Sequence, residues 1–196
     1  MTFLSEWNME PTRPGRIKRP WAVAAAGLTA AHHGFELASG IGLVLQPELS
    51  LAGSSALWGI QIPAWVLLAA RGSRRHDGLL AALAGSALAG SLVHYFLWPW
   101  RRGRLGLPVL TEAEGLPTSA LGAYNVILQG WAVVSVLSLL TEVPKGRRRW
   151  ALVGFSGLPV LYLSARHHFT WISNEAVVRP AWWNRAISRN TDPADG

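Results

Sequence analysis

The sequence predicts an all-α, polytopic integral membrane protein, a compact bundle of five transmembrane helices. Three observations predict it. Half of the 196 residues are hydrophobic and only 15% are charged, with a mean hydropathy of +0.22, too apolar for an ordinary soluble domain. The apolar residues gather into five runs, each near the length of about 20 residues that crosses a bilayer. Lys and Arg cluster in the connections between those runs, where they face anionic headgroups.

The first 20 residues, "MTFLSEWNMEPTRPGRIKRP", are polar and basic, with no apolar stretch of the kind a signal peptide needs. They are expected to form a cytoplasmic segment. The membrane domain is expected over residues 21–172, with spans at 21–45, 54–71, 79–100, 118–140 and 150–172. Pro63 interrupts the second span, which a membrane helix tolerates when neighbouring groups satisfy the freed carbonyl. The connections "QPELSLAGS", "RGSRRHDG", "RRGRLGLPVLTEAEGLP" and "TEVPKGRRR" carry turn formers or charge. Residues 173–196 read as a polar tail with interfacial Trp182 and Trp183. With the N-terminus cytoplasmic, the inner segments hold eleven Lys and Arg residues against three in the outer loops, at Arg101, Arg102 and Arg104. The expected location is therefore the cell membrane, multi-pass, with the N-terminus inside and the tail outside. Small residues recur every four positions at Gly34, Ala38 and Gly42 and at Ala82, Ser86 and Gly90. Such stripes let helix backbones approach closely, so the first and third helices are expected to pack on each other.

Several function classes are excluded. There is no cysteine, which removes disulfides, thiolate catalysis and thiolate metal sites. The net charge of +7 comes with no nucleic-acid recognition motif, so the expected partner is the lipid bilayer and not nucleic acid. No phosphate-binding glycine loop, nucleophile elbow or His-Glu-x-x-His zinc motif is present.

The stretch "AAHHGFELASG", residues 30–40, places two histidines and a glutamate inside the first span. With a rise of about 1.5 Å per residue, Glu36, His94, Gln61 and Asn125 all come to about 20–22 Å from the inner boundary, and His32, Gln129, His167 and His168 fall nearby. Polar groups of all five spans thus share one layer in the outer half of the membrane. His32 and Glu36 are four residues apart and share a helix face, as do Asn125 and Gln129. Ionisable groups at this depth normally face the bundle interior and mark function.

A carboxyl beside an imidazole can divide acid and base roles on a lipophilic substrate. The expected function is therefore a membrane-embedded enzyme of isoprenoid-, sterol- or lipid-like molecules, an isomerase or a lyase-like cyclase of terpenoid type. Glu36, His32 and His94 are the expected catalytic residues. His33, Gln61, Tyr95, Trp98, Tyr124, Asn125, Gln129, His167, His168 and Trp171 are expected to bind substrate, and aromatic residues including Trp58 and Trp65 to line its apolar part. No metal or cofactor is favoured. The alternatives are a redox subunit that holds haem or a His-ligated metal, and a small transporter or accessory subunit. The small size is compatible with a homo-oligomer or a larger membrane complex. The His-xxx-Glu spacing is similar to that of the emopamil-binding-type isomerases. The likeness covers that one pair, with no second matching motif downstream.

Overall fold

The computed structural model describes residues 19–113 and 115–190. The expected N-terminal segment lies almost wholly outside these residues, as does the end of the tail. The described residues are mostly helical, and the long helices pack against one another. Three of them are long and apolar enough to cross a membrane: Gln46–Arg71, Arg74–Leu97 and Thr118–Glu142.

Helix α1 (Pro20–Ser39) starts on a proline, whose fixed φ suits the first turn. Its free amides at Trp21 and Ala22 donate to the Glu142 carboxylate at 2.7 and 2.9 Å. It ends at Gly40, whose φ of 84° is a left-handed cap that only glycine adopts without strain. The first helix is thus shorter than the expected 21–45.

Helix α2 (Gln46–Arg71) overturns another boundary. The stretch expected as a connection, "QPELSLAGS", is its first part, with Pro47 in the opening turn and a kink at Ser50 (φ 64°, ψ 170°). Its turn formers Pro47, Ser50 and Gly53 and the charge of Glu48 are what make the stretch read as a loop. Helix α3 (Asp77–Leu97) follows a single tight turn. The next connection contains a small hairpin that the all-α reading did not include: β1 (Trp100–Arg102) and β2 (Pro108–Leu110), antiparallel with Trp100 opposite Leu110. Helix α4 (Thr118–Leu137) continues through one π turn to Glu142.

The expected fifth span is broken. A short helix α5 (Ala151–Phe155) is separated by Ser156 and Gly157 from α6 (Leu158–Val178). Helix α6 runs into what reads as tail, and α7 (Arg185–Asn190) turns back onto the end of α1. There Ala186 donates its amide to Gly40 O at 3.1 Å, and the Arg185 guanidinium donates to Ala38 O. Ile172, Ala176, Ala186 and Ile187 are buried by this docking.

The starts of α1 and α3 meet the ends of α2 and α4 at one pole of the bundle. Arg19 donates to Ser73 O at 3.3 Å and pairs with Asp77, both side chains buried. Arg71, Arg74, Arg75, Lys145, Arg147, Arg148 and Arg149 all belong to the segments gathered there.

The small-residue stripes have a different partner from the expected one. A side chain at Gly34 would meet nothing within 4 Å. The close approach is between α3 and α5: a Cβ at Gly85 would lie 2.0 Å from Ala151 O, and one at Gly154 would lie 1.9 Å from Ala82 O. Gly90 makes room for an indole, since its Cβ would lie 2.7 Å from Trp131 of α4. The helix that backs onto the α3 stripe is the short one that the sequence does not separate from its neighbour.

Candidate functional site

The site grows from one turn of α1. His32, His33 and Glu36 lie at spacings of three and four, so all three project to neighbouring positions on one face. Helix α3 brings His94 and helix α4 brings Tyr124 to the same place. Glu36 is the hub. Its Oε1 lies 3.1 Å from His32 Nε2 and accepts from Tyr124 Oη, also at 3.1 Å. His94 Nε2 stands 3.8 Å from the same oxygen. Oε2 lies 3.2 Å from His33 Nδ1. All five side chains are buried.

Each ring is held in orientation by something else. The Gly90 carbonyl lies 2.8 Å from His94 Nδ1. A carbonyl only accepts, so Nδ1 carries the hydrogen, and in the neutral ring Nε2 presents its lone pair toward Glu36. His32 is sandwiched between Tyr124 and Trp131, with ring centroids at 5.7 and 5.0 Å, both stacked. His33 stacks on Trp58 at 4.0 Å. Trp131 was not singled out in the sequence, yet the signal was there. Tyr124, Leu128, Trp131 and Ser135 follow the spacing of one helix face, and all four are buried.

At the hub is an open-mouthed cavity, with about 840 Å³ of empty space when the open solvent at its mouth is included. Its walls are mainly apolar, and α1, α2, α3 and α6 all contribute. Trp58, Trp65, Trp131 and Phe169 give it aromatic faces. His32, His33, Glu36, His94, Gln61 and His168 supply its polar points. The lining residues Trp58 and Gln61, Leu83 and Ser86, and Leu161 are only partly covered, and Ser86 is exposed.

Several of the residues expected to bind substrate are elsewhere. Asn125 accepts from Leu110 N at 2.7 Å and donates to Leu110 O at 3.1 Å. Gln129 donates to Pro108 O at 2.8 Å. Both therefore hold the hairpin to α4. His167 is exposed and sits 3.6 Å from Glu48. Trp171 stacks on Trp183 at 5.8 Å, and Trp98 meets Phe169 edge-on at 5.3 Å, outside the cavity lining. Tyr95 packs edge-on against Trp100 and is likewise not among the cavity walls. His168 lines the cavity and donates from Nε2 to Ile41 O at 3.0 Å. Tyr124 belongs to the hub, without lining the cavity itself. As for haem, Glu36 Oε1 sits against the Nε2 atoms of both His32 and His94, so this pair does not form an axial site for a porphyrin iron.

No protein-family model matches the chain, and neither a curated protein nor a solved structure matches it. The reading of the site therefore rests on its geometry.

Proposed function

We propose that the protein is an integral membrane enzyme that admits a lipophilic substrate from the bilayer and moves a proton on it at the Glu36 cluster. The observation that carries this reading is the hub itself. One buried carboxylate is ringed by three imidazoles and a phenol, at the base of an apolar, aromatic-walled cavity. A carboxylate can accept from about four donors, and here the groups around it are all of a kind that can exchange protons. Four groups that each exchange protons form a device for giving and taking them.

In this reading α1, α2, α3, α4 and the α5–α6 pair make five passes, with the basic pole at the cytoplasmic face as the distribution of positive charge directs. Helices α1 and α6 carry buried polar residues turned inward to the site, such as His32, Glu36 and His168. The cavity then opens sideways at mid-height, toward the acyl chains. A hydrophobic molecule would reach Glu36 without passing through water.

The reaction that suits such a site is migration of a carbon–carbon double bond in an isoprenoid- or sterol-like molecule. One acid adds a proton to an alkene carbon, and one base removes a proton from the carbon beyond its neighbour. The proton count is unchanged and the double bond moves by one position. The faces of Trp58, Trp65 and Trp131 would stabilise the positive charge that develops between the two steps.

Solvent deuterium tests this directly. Protein reconstituted in lipid nanodiscs and incubated in D2O with unsaturated isoprenoid and sterol substrates should place deuterium on substrate carbon, read by mass spectrometry. Glu36→Gln should not. Equal incorporation by wild type and Glu36→Gln would remove Glu36 from the chemistry, and none from any lipophile would sink the enzyme reading.

A further inference from the structure

We propose that His32, Glu36 and His94 form the binding site for one divalent first-row transition-metal ion. The site follows from ligand positions alone and stands whether or not the protein turns over a lipid. His32 Nε2, a Glu36 oxygen and His94 Nε2 lie within 4.8 Å of one another, and all three residues are buried. Around an ion with bonds of about 2.0–2.2 Å, such atoms stand about 3 to 3.5 Å apart. The His32–Glu36 distance of 3.1 Å already fits. His94 stands 3.8 Å from the same oxygen, and with the ligand atoms all within 4.8 Å of one another the triad draws together around an ion by small side-chain rotations.

The surroundings are those a ligand set requires. Metal-bound histidines almost always donate their other ring N–H to a carbonyl or carboxylate, which fixes the tautomer and strengthens the ligand. His94 does this to Gly90 O at 2.8 Å. Glu36 is steadied from outside the triad by His33 on one oxygen and Tyr124 on the other. His32 differs: its Nδ1 is buried with no hydrogen-bond partner, and the ring is held by the flanking Tyr124 and Trp131 rings. Three protein ligands leave coordination positions open, and all three residues line the cavity. This is the pattern of a reactive metal site, whereas a structural zinc site is closed by four protein ligands.

The donor set selects the ion. Two imidazoles and one carboxylate suit Fe2+, Zn2+, Co2+ or Mn2+, while Mg2+ and Ca2+ prefer oxygen alone. An ion there would also neutralise the one carboxylate that lines the cavity. Its open side would take an oxygen atom, which narrows the ligand class to lipophiles that carry a carbonyl or hydroxyl group.

The full chain, purified in detergent and stripped with a chelator, should be titrated with Co2+. The visible bands of imidazole-bound Co2+ should saturate at roughly one ion per chain. His94→Ala and Glu36→Ala should each weaken binding by at least about 10–100-fold, while circular dichroism confirms that the helices remain. His167→Asn, which removes an exposed histidine, should bind as wild type does. Wild type that binds no Co2+, or binds it no better than His94→Ala, overturns the metal site and leaves a proton-sharing cluster. Deuterium exchange that persists undiminished in the chelated protein would leave the proton-transfer reading intact without an ion.

Discussion

Glu36 and Asp77 are the two buried carboxylates among the described residues, and they are held in opposite ways. Asp77 opens α3 at the basic pole and is paired with Arg19, a cation that never gives up its proton. Glu36 sits near the other end of α1, among imidazoles and a phenol, groups that can each give or take a proton. The first arrangement fixes a charge and ties the start of α1 to the start of α3. The second sets a carboxylate among groups that can exchange protons, beside a cavity. In the proposed reading the same side-chain group serves structure in one place and chemistry in the other, and the partner decides which.

That contrast can be broken or sharpened by five variants. Glu36→Gln keeps volume and hydrogen bonding but cannot exchange a proton, so deuterium incorporation should fall by about 10²- to 10⁴-fold. Its melting temperature should stay close to wild type. An equal loss of stability would make Glu36 a structural residue like Asp77. Asp77→Asn leaves Arg19 buried with no counter-charge, and unfolding in mixed detergent should show a loss of about 3–5 kcal/mol. If instead Arg19 and Asp77 are replaced together by Met and Leu, most of that loss should return. Gly85→Ala pushes a methyl into the Ala151 carbonyl of α5. It should cost about 1–3 kcal/mol of stability without touching Co2+ binding, because it lies on the structural side of the contrast. Smallest of all, Ser91→Ala removes the 2.9 Å bond from Ser91 Oγ to Leu128 O between α3 and α4. A change of about 0.6 kcal/mol is expected there, and a several-fold larger one would show that polar links between these helices matter more than their average.

The site could be read from the sequence where the information is local. His32 and Glu36 share a face because of their spacing, and helix rise alone put His94 at the depth of Glu36, which the 3.8 Å separation bears out. Partners drawn from distant segments could not be read. A stripe of Ala82, Ser86 and Gly90 announces that something comes close but not what, and α5 could have been any helix. The start of α2 is hidden because Pro47, Ser50 and Gly53 are turn formers, and the chain kinks at Ser50 without leaving the helix. Asn125 and Gln129 share depth and spacing with the site residues, and only the hairpin, invisible as three-residue strands, separates them from it.

That hairpin has one more consequence. The outward edge of β2 offers three backbone groups, Pro108 O and the amide and carbonyl of Leu110, since Pro108 has no N–H. Gln129 takes the first and Asn125 the other two. The match is one of pitch. Four residues of helix advance about 6.0 Å, and two residues of strand advance about 6.7 Å. Two carboxamides one helical turn apart therefore fall in step with alternate residues of a strand. In effect α4 stands in as the third strand of the sheet. A ribbon that would otherwise offer a seam for a passing chain to zip onto is closed from within by its own neighbour.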